Sequence, residues 1–184
     1  MTQVTKDSSE IVSDVIVQTE DFDVAVQYSE LCQRAPRSGA VVFFVGLVRD
    51  LYGDALVDEQ GDALVDHKTG AQPADAIDYL ELTHYEGMTQ TLCQQIVDEA
   101  RTRYPFDAAR VVHRVGKLYS ADQIVMVAIA SRHRDAAFSA AQFIMDYLKT
   151  RATLWKKEVG SRGEQWIGIN DKDFAAADKW SQPD

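Results

Sequence analysis

Apolar positions along the chain fall into two rhythms, and the points where one gives way to the other outline the elements. Residues 21–35 (DFDVAVQYSELCQRA) place Val24, Tyr28 and Leu31 at helical spacing behind a possible cap at Asp21 or Asp23. Pro36 and Gly39 break that segment. Residues 40–48 (AVVFFVGLV) form an apolar run of strand length, rich in β-branched and aromatic residues. Residues 77–85 (IDYLELTHY) alternate well enough for another strand. Residues 89–103 carry Leu92, Ile96, Val97 and Ala100 on one side and Gln94, Gln95, Asp98 and Arg101 on the other, which predicts an amphipathic helix stopped by Pro105. Residues 109–119 read as one strand, Ser120–Asp122 as a turn, and residues 123–130 (QIVMVAIA) as a buried central strand. A second strong helix runs from Asp135 to about Thr150 with Phe138, Ala141, Met145 and Leu148 inward, and another helical stretch is expected to reach Glu158. Gly160 and Gly163 make a turn before a closing strand at 165–169.

This order predicts an α+β fold, with helices packed on a mixed, mainly antiparallel sheet. Residues 1–20 read as weakly ordered, with an edge strand around Ile16, residues 21–170 as the domain, and residues 171–184 as a polar C-terminal tail. Residues 51–76 stand apart: they are rich in Asp and Gly and repeat the hexapeptide GDALVD at 53–58 and 61–66. Two copies are too few for a solenoid, so the segment reads as a hairpin or an acidic loop inserted by tandem duplication.

The 184 residues are 46% hydrophobic and 26% charged, the balance of a globular chain that can bury a core. No apolar run approaches the roughly 18 residues of a membrane helix. The polar, acidic N-terminus is unlike a signal peptide, and the expected location is the cytoplasm. The net charge of -10 disfavours nucleic acid as a partner. That charge is unevenly spread. Residues 101–157 hold eleven Lys or Arg against four Asp or Glu, a balance of +7, while the remainder holds eight against twenty-five, a balance of -17. A basic segment in an acidic protein suits a small anion, although charges alternating around solvated helices would give the same count.

Three groupings could carry chemistry. Arg132-His133-Arg134 stands at a strand-to-helix junction, where free N–H groups and about half a positive charge attract phosphate. Arg side chains add bidentate donors, Asp135 competes for the same N–H groups, and an ordinary surface helix start reads equally well. Lys149 and Lys156 are seven apart, which on a continuous helix puts them on one face, with Arg151 and Lys157 nearby. Clustered lysines lower one another's pKa and can then serve as base or nucleophile, but a basic helix end that complements the macrodipole needs no chemistry. Arg49 follows the apolar strand and either faces a site mouth or meets solvent. His84 and His113 are single histidines in strands and read as structural. No zinc spacing, GxSxG elbow, GxGxxG or GxxxxGK[ST] occurs, so no metal or nucleotide cofactor is expected. Cys32 and Cys93 form no CxxC, and Cys93 reads as a buried hydrophobe, so the chain has no sulfur relay of its own.

GAVVFFVGLVRD (39–50), LTHYEGM (82–88), the long block from Val111 to Glu158 ending in DYLKTRATLWKKE, and QWI (165–167) together resemble the molybdopterin synthase catalytic subunit family, over roughly residues 20–170. The resemblance implies an α/β hammerhead fold, a dimer of large subunits, and a heterotetramer with two small ubiquitin-like subunits. It implies that the small subunit's C-terminal Gly-Gly thiocarboxylate supplies two sulfurs to cyclic pyranopterin monophosphate (precursor Z), giving the dithiolene of molybdopterin. Carried over by position, the pocket residues are Leu47, Val48, Arg49, His133, Arg134, Lys149, Lys156, Lys157 and Glu158, with Lys149 and Lys156 catalytic and the others binding substrate. Phe44 and Met145 would line the pocket or simply pack. Two departures stand out: Leu47 occupies a position where many relatives have lysine, and the segment 51–76 is longer than usual. Rival readings are the same fold serving another pathway, a module that only binds a ubiquitin-like tail, and a pterin or nucleotide carrier.

Overall fold

The computed structural model describes residues 12–49, 77–161, 163–169 and 171–181. The insertion with its repeated GDALVD, and most of the N-terminal segment, lie outside the described residues. Eight strands form two four-stranded sheets among the described residues.

The larger sheet has β1 (Val12–Gln18), β4 (Ala108–Arg114), β6 (Gln123–Ser131) and β2 (Ala40–Leu47), in that order across the sheet. β1 runs parallel to β4, while β6 is antiparallel to both β4 and β2. All of β4 and most of β6 are buried because both faces are covered, which explains the near-continuous apolar sequence of β6, while β4 also buries Arg110, His113 and Arg114. Successive residues then serve opposite layers. Ala109, Val111, Val125, Val127 and Ile129 pack beneath α2 (Met88–Arg103) and α3 (Arg134–Arg151), which contribute Cys93, Ile96, Val97, Phe143, Ile144 and Leu148. Ala108, Val112, Met126, Ala128 and Ala130 pack on the other side with Phe22 and with Leu31 of α1 (Val24–Arg34). Of the two cap candidates, Asp23 starts α1: its Oδ1 accepts from Ala25 N at 2.8 Å and Val26 N at 3.1 Å.

The smaller sheet has the order β5 (Gly116–Leu118), β3 (Ile77–His84), β7 (Leu154–Gly160) and β8 (Gly163–Ile167), with antiparallel neighbours. Its buried core is small: Val48, Leu80, Leu82 and Leu118.

The structure corrects three sequence expectations. The strand expected over 109–119 is two strands in different sheets. Gly116, at φ +85°, adopts a backbone open to glycine and turns the chain from β4 into β5. The further helical stretch expected to reach Glu158 does not form: α3 stops at Arg151, and Ala152 is already extended. Thereafter LWKKEVG forms β7, because pairing with β3 outweighs the helical spacing of isolated residues. The polar end contains a further helix, α4 (Asp171–Asp178), which packs on α3 through buried Ala177. No helix among the described residues is long and apolar enough to cross a membrane.

Candidate functional site

Because α3 ends before β7, Lys149 and Lys156 do not share one helix face. Lys149 lies in the last turn of α3 and Lys156 in β7, after a connection that turns the chain back along β3. They are nonetheless electrostatic neighbours. Burial pushes the pKa of Lys156 below the ordinary lysine value, and the positive charges of Arg49 and Lys149 push it the same way, while Glu158 opposes them. Three of the expected residues, Arg49, Lys149 and Glu158, thus act on the half-buried amine of a fourth, Lys156. Arg49 arrives from the end of β2, held there by its neighbour Val48, whose N–H donates to Asp122 O at 2.8 Å and whose side chain fills the small core.

The strand pleat sorts the other two expected β7 residues. Lys156 lies opposite Leu82 and Glu158 opposite Leu80, so both share the face of the small core. Lys157 lies opposite Glu81 and therefore points to the other face. There its Nζ meets Glu81 at 2.8 Å and Glu164 at 2.9 Å, and lies 5.5 Å from the Trp166 ring centre. Those carboxylates push its pKa up, the reverse of Lys156. Adjacent lysines in the sequence are thereby given opposite chemistry.

Lys149 is more open, with its side chain 54% exposed and its Nζ 2.9 Å from Asp173 Oδ1 of α4. Sequence reasoning missed Asp173. The only signal for it was the helical spacing of Asp173, Ala177 and Trp180 in a polar segment.

His133 and Arg134 stand elsewhere. His133 is the N-cap of α3 but makes no side-chain cap bond, and Arg134 is exposed beside Asp135. Asp135 belongs to the first turn rather than the cap. Lys149 is fifteen residues further along the helix, which at 1.5 Å per residue separates the two ends by about 22 Å. One copy of the chain does not bring these groups together. Between them, α3 and the edge strand β2 expose Phe138, Phe44 and Leu47 at 62%, 42% and 52%.

The two histidines read as structural differ in setting. His113 is buried, with Nδ1 2.8 Å from Arg114 O, and burial pushes its pKa down to about 4. Nδ1 of His84 is buried without a hydrogen-bond partner. His84 borders a cleft of about 330 Å³ together with Gln18, Glu20, Glu86 and Gln90. This lining holds no lysine or arginine, so the cleft does not suit a phosphate. Burial also pushes the Cys93 thiol up to about 11, which leaves it a poor nucleophile.

Comparison with known proteins places this arrangement. The MoaE protein family model matches residues 17–151. The molybdopterin synthase catalytic subunit of Vibrio cholerae is 45% identical over 166 residues, covering 90% of this chain and 97% of that protein. That of Escherichia coli is 40% identical over the same shares of the two chains. Among solved structures, molybdopterin cofactor biosynthesis protein E from Burkholderia multivorans is 40% identical with a TM-score of 0.71, covering 94% of this chain and 99% of its own. Molybdopterin synthase from Staphylococcus aureus is 26% identical with a TM-score of 0.67, covering 83% and 96%. The two-sheet α+β architecture is therefore that of a relative of molybdopterin synthase catalytic subunits, and the chain belongs to the MoaE protein family.

Proposed function

We propose that this chain is the catalytic subunit of a molybdopterin synthase, a sulfurtransferase of molybdenum cofactor biosynthesis. It would convert cyclic pyranopterin monophosphate to molybdopterin with sulfur from the thiocarboxylated C-terminus of a small ubiquitin-like subunit. The observation that carries this reading is the convergence of Lys149, Lys156, Arg49 and Glu158 at the meeting of α3, β2 and β7, in a chain 45% identical to such a subunit.

The chemistry follows from the unequal lysines. In each transfer the thiocarboxylate sulfur bonds to a side-chain carbon of the pterin as an oxygen leaves that carbon, either as water or as the phosphate oxygen of the opened ring. Water then cleaves the acyl carbon–sulfur bond of the resulting thioester, leaving sulfur on the pterin and a carboxylate at the small subunit's terminus. Lys149, charged and open, polarises the thiocarboxylate carbonyl. Lys156, whose burial favours the neutral form, moves the proton. Arg49 supplies a fixed positive charge for phosphate, and placing these groups in advance lowers the barrier by orientation and electrostatics. No resident cofactor or metal enters this scheme. The reading places the protein in the cytoplasm.

His133 and Arg134 join the site through a second copy. The geometry that supports this is their separation from Lys149 along α3, and the exposed Phe44, Leu47 and Phe138 in between. The functional unit is then a dimer of this chain with two small subunits, and Lys157 and Glu158 shape the β7 wall.

Reconstitution tests the reading. Purified protein, precursor and thiocarboxylated small subunit should yield molybdopterin, followed as its fluorescent oxidised derivative. A stable complex with the small subunit that makes no product would leave a tail-binding module instead. Mixing inactive Lys149→Ala with inactive Arg134→Ala should restore product through mixed dimers. Failure of that mixture would confine the site to one copy.

A further inference from the structure

The ion pair between Lys149 and α4 carries a consequence beyond the family match, which ends at residue 151. α4 is bound firmly to α3. Ala177 is buried in the main core, and Trp180, just past the helix, lies 5.6 Å from the Phe143 ring and 6.0 Å from the Tyr104 ring. Trp180 Nε1 donates to Asp146 Oδ2 at 2.8 Å, and Arg103 Nη1 donates to Trp180 O at 2.5 Å. Lys179 pairs with Asp146 at 2.9 Å. Asp173, Ala177 and Trp180 are spaced four and three apart, so they share the face that α4 turns to α3. The contacts run antiparallel: Trp180 meets Phe143 and Asp146, and one to two turns further along α3 Asp173 meets Lys149. Asp173 is therefore set in place by a docked helix rather than by a free tail.

We infer that Asp173 is a positioning residue for Lys149, holding the ammonium group at one N–H so that the remaining two point at the reacting carbonyl. This inference rests on the assignment of Lys149 to the reacting site. An ion pair this exposed adds little to folding, so its effect should show in catalysis rather than stability. Other charges nearby do not replace it. Asp146 is engaged with Lys179 and Trp180, and Glu99 with Arg103 and Arg151. Glu158 acts on Lys156 from β7.

The test compares wild type, Asp173→Asn, Asp173→Glu and Lys179→Ala in the reconstituted full-length complex. Asp173→Asn should lower kcat roughly five- to tenfold with KM little changed, the signature of a contact that matters in the transition state. Asp173→Glu, which keeps the carboxylate, should recover most of the rate. Lys179→Ala breaks an ion pair of the same 2.9 Å length between the residue just past α4 and α3, away from the amine, and should behave as wild type. Separately, acylation of Lys149 by a small anhydride, read by mass spectrometry, should quicken roughly threefold in Asp173→Asn as the amine loses its partner. Unchanged kcat in Asp173→Asn would overturn the inference, as would equal damage from Lys179→Ala. A wild type that makes no product would instead overturn the sulfur-transfer reading. Lysine acylation then reads the contact by itself: unchanged labelling refutes the hold of Asp173 on Lys149 and with it the inference, and faster labelling upholds that hold.

Discussion

The two sheets divide the work of the molecule. The larger one has helices on both faces, and its central strands β4 and β6 are buried almost throughout. The smaller one buries four apolar side chains and leaves Trp155 and Trp166 at 43% and 61% exposure. Stability resides in the first. The second carries an amine, Lys156, that is half-buried among other charges, an arrangement a tightly packed core could not accommodate without full pairing. The difference teaches that the proposed chemistry falls where packing is thin, on a strand held between β3 and β8.

Substitutions should therefore sort by sheet. The largest effect is expected at the thin side: Lys149→Ala should cost about a hundred- to ten-thousand-fold in turnover. Its thermal midpoint should stay near that of wild type, because the side chain is 54% exposed. A matching loss of stability would break the division. On the thick side, Phe143→Ala empties a fully buried site beneath Tyr104, Tyr147 and Trp180 and should cost about 3–5 kcal/mol in denaturant unfolding.

Acid should also find the thick side. His113 is held neutral with a pKa of about 4, against 6.5 unfolded. The unfolded chain then binds the extra proton between those values. Stability is present above pH 6.5 and falls as pH drops towards 4, by up to about 3 kcal/mol from this group. His113→Gln should flatten that part of a stability–pH curve, and an unchanged slope would remove His113 from the account. On the thin side, pH should act on rate. With Lys156 as the proton-moving group, turnover should rise with pH at a midpoint below the ordinary lysine value of 10.5. Arg49→Ala should move that midpoint upward, since the guanidinium charge helps to hold it down. The smallest effect is expected at Trp155→Ala, whose partly exposed ring makes one edge contact with Tyr85 at 5.2 Å, worth about 1 kcal/mol beyond the apolar area it covers.

Legibility in the sequence followed the same division. β6, α2 and α3 were readable because burial leaves a long apolar run or strong helical spacing. The smaller sheet was harder. β7 reads LWKKEVG, and a strand with charged residues on both faces shows no hydrophobic alternation to separate it from helix. The break at Gly116 was hidden because a continuous alternation can cross from one sheet to another. Lys149, Lys156 and Arg49 were picked out by spacing and position and given roles by the resemblance, and the structure makes Arg49 and Lys149 electrostatic neighbours of Lys156. The distance of His133 and Arg134 from them was implicit in the length of α3 once that helix was drawn. Asp173 was not legible, because an eight-residue helix with one buried alanine leaves almost no pattern.

The back-face cluster of Lys157, Glu81 and Glu164 has one more consequence. Side chains alternate along a strand, so sliding β7 by a single residue would exchange Lys156 and Lys157 between the two faces. The site would then receive a different lysine while the sequence stayed the same. Lys157 lies directly opposite Glu81 in one neighbouring strand and opposite Trp166 in the other, and only the present alignment satisfies all of these contacts. A salt bridge on the far side of the sheet thus proofreads which amine faces the proposed site.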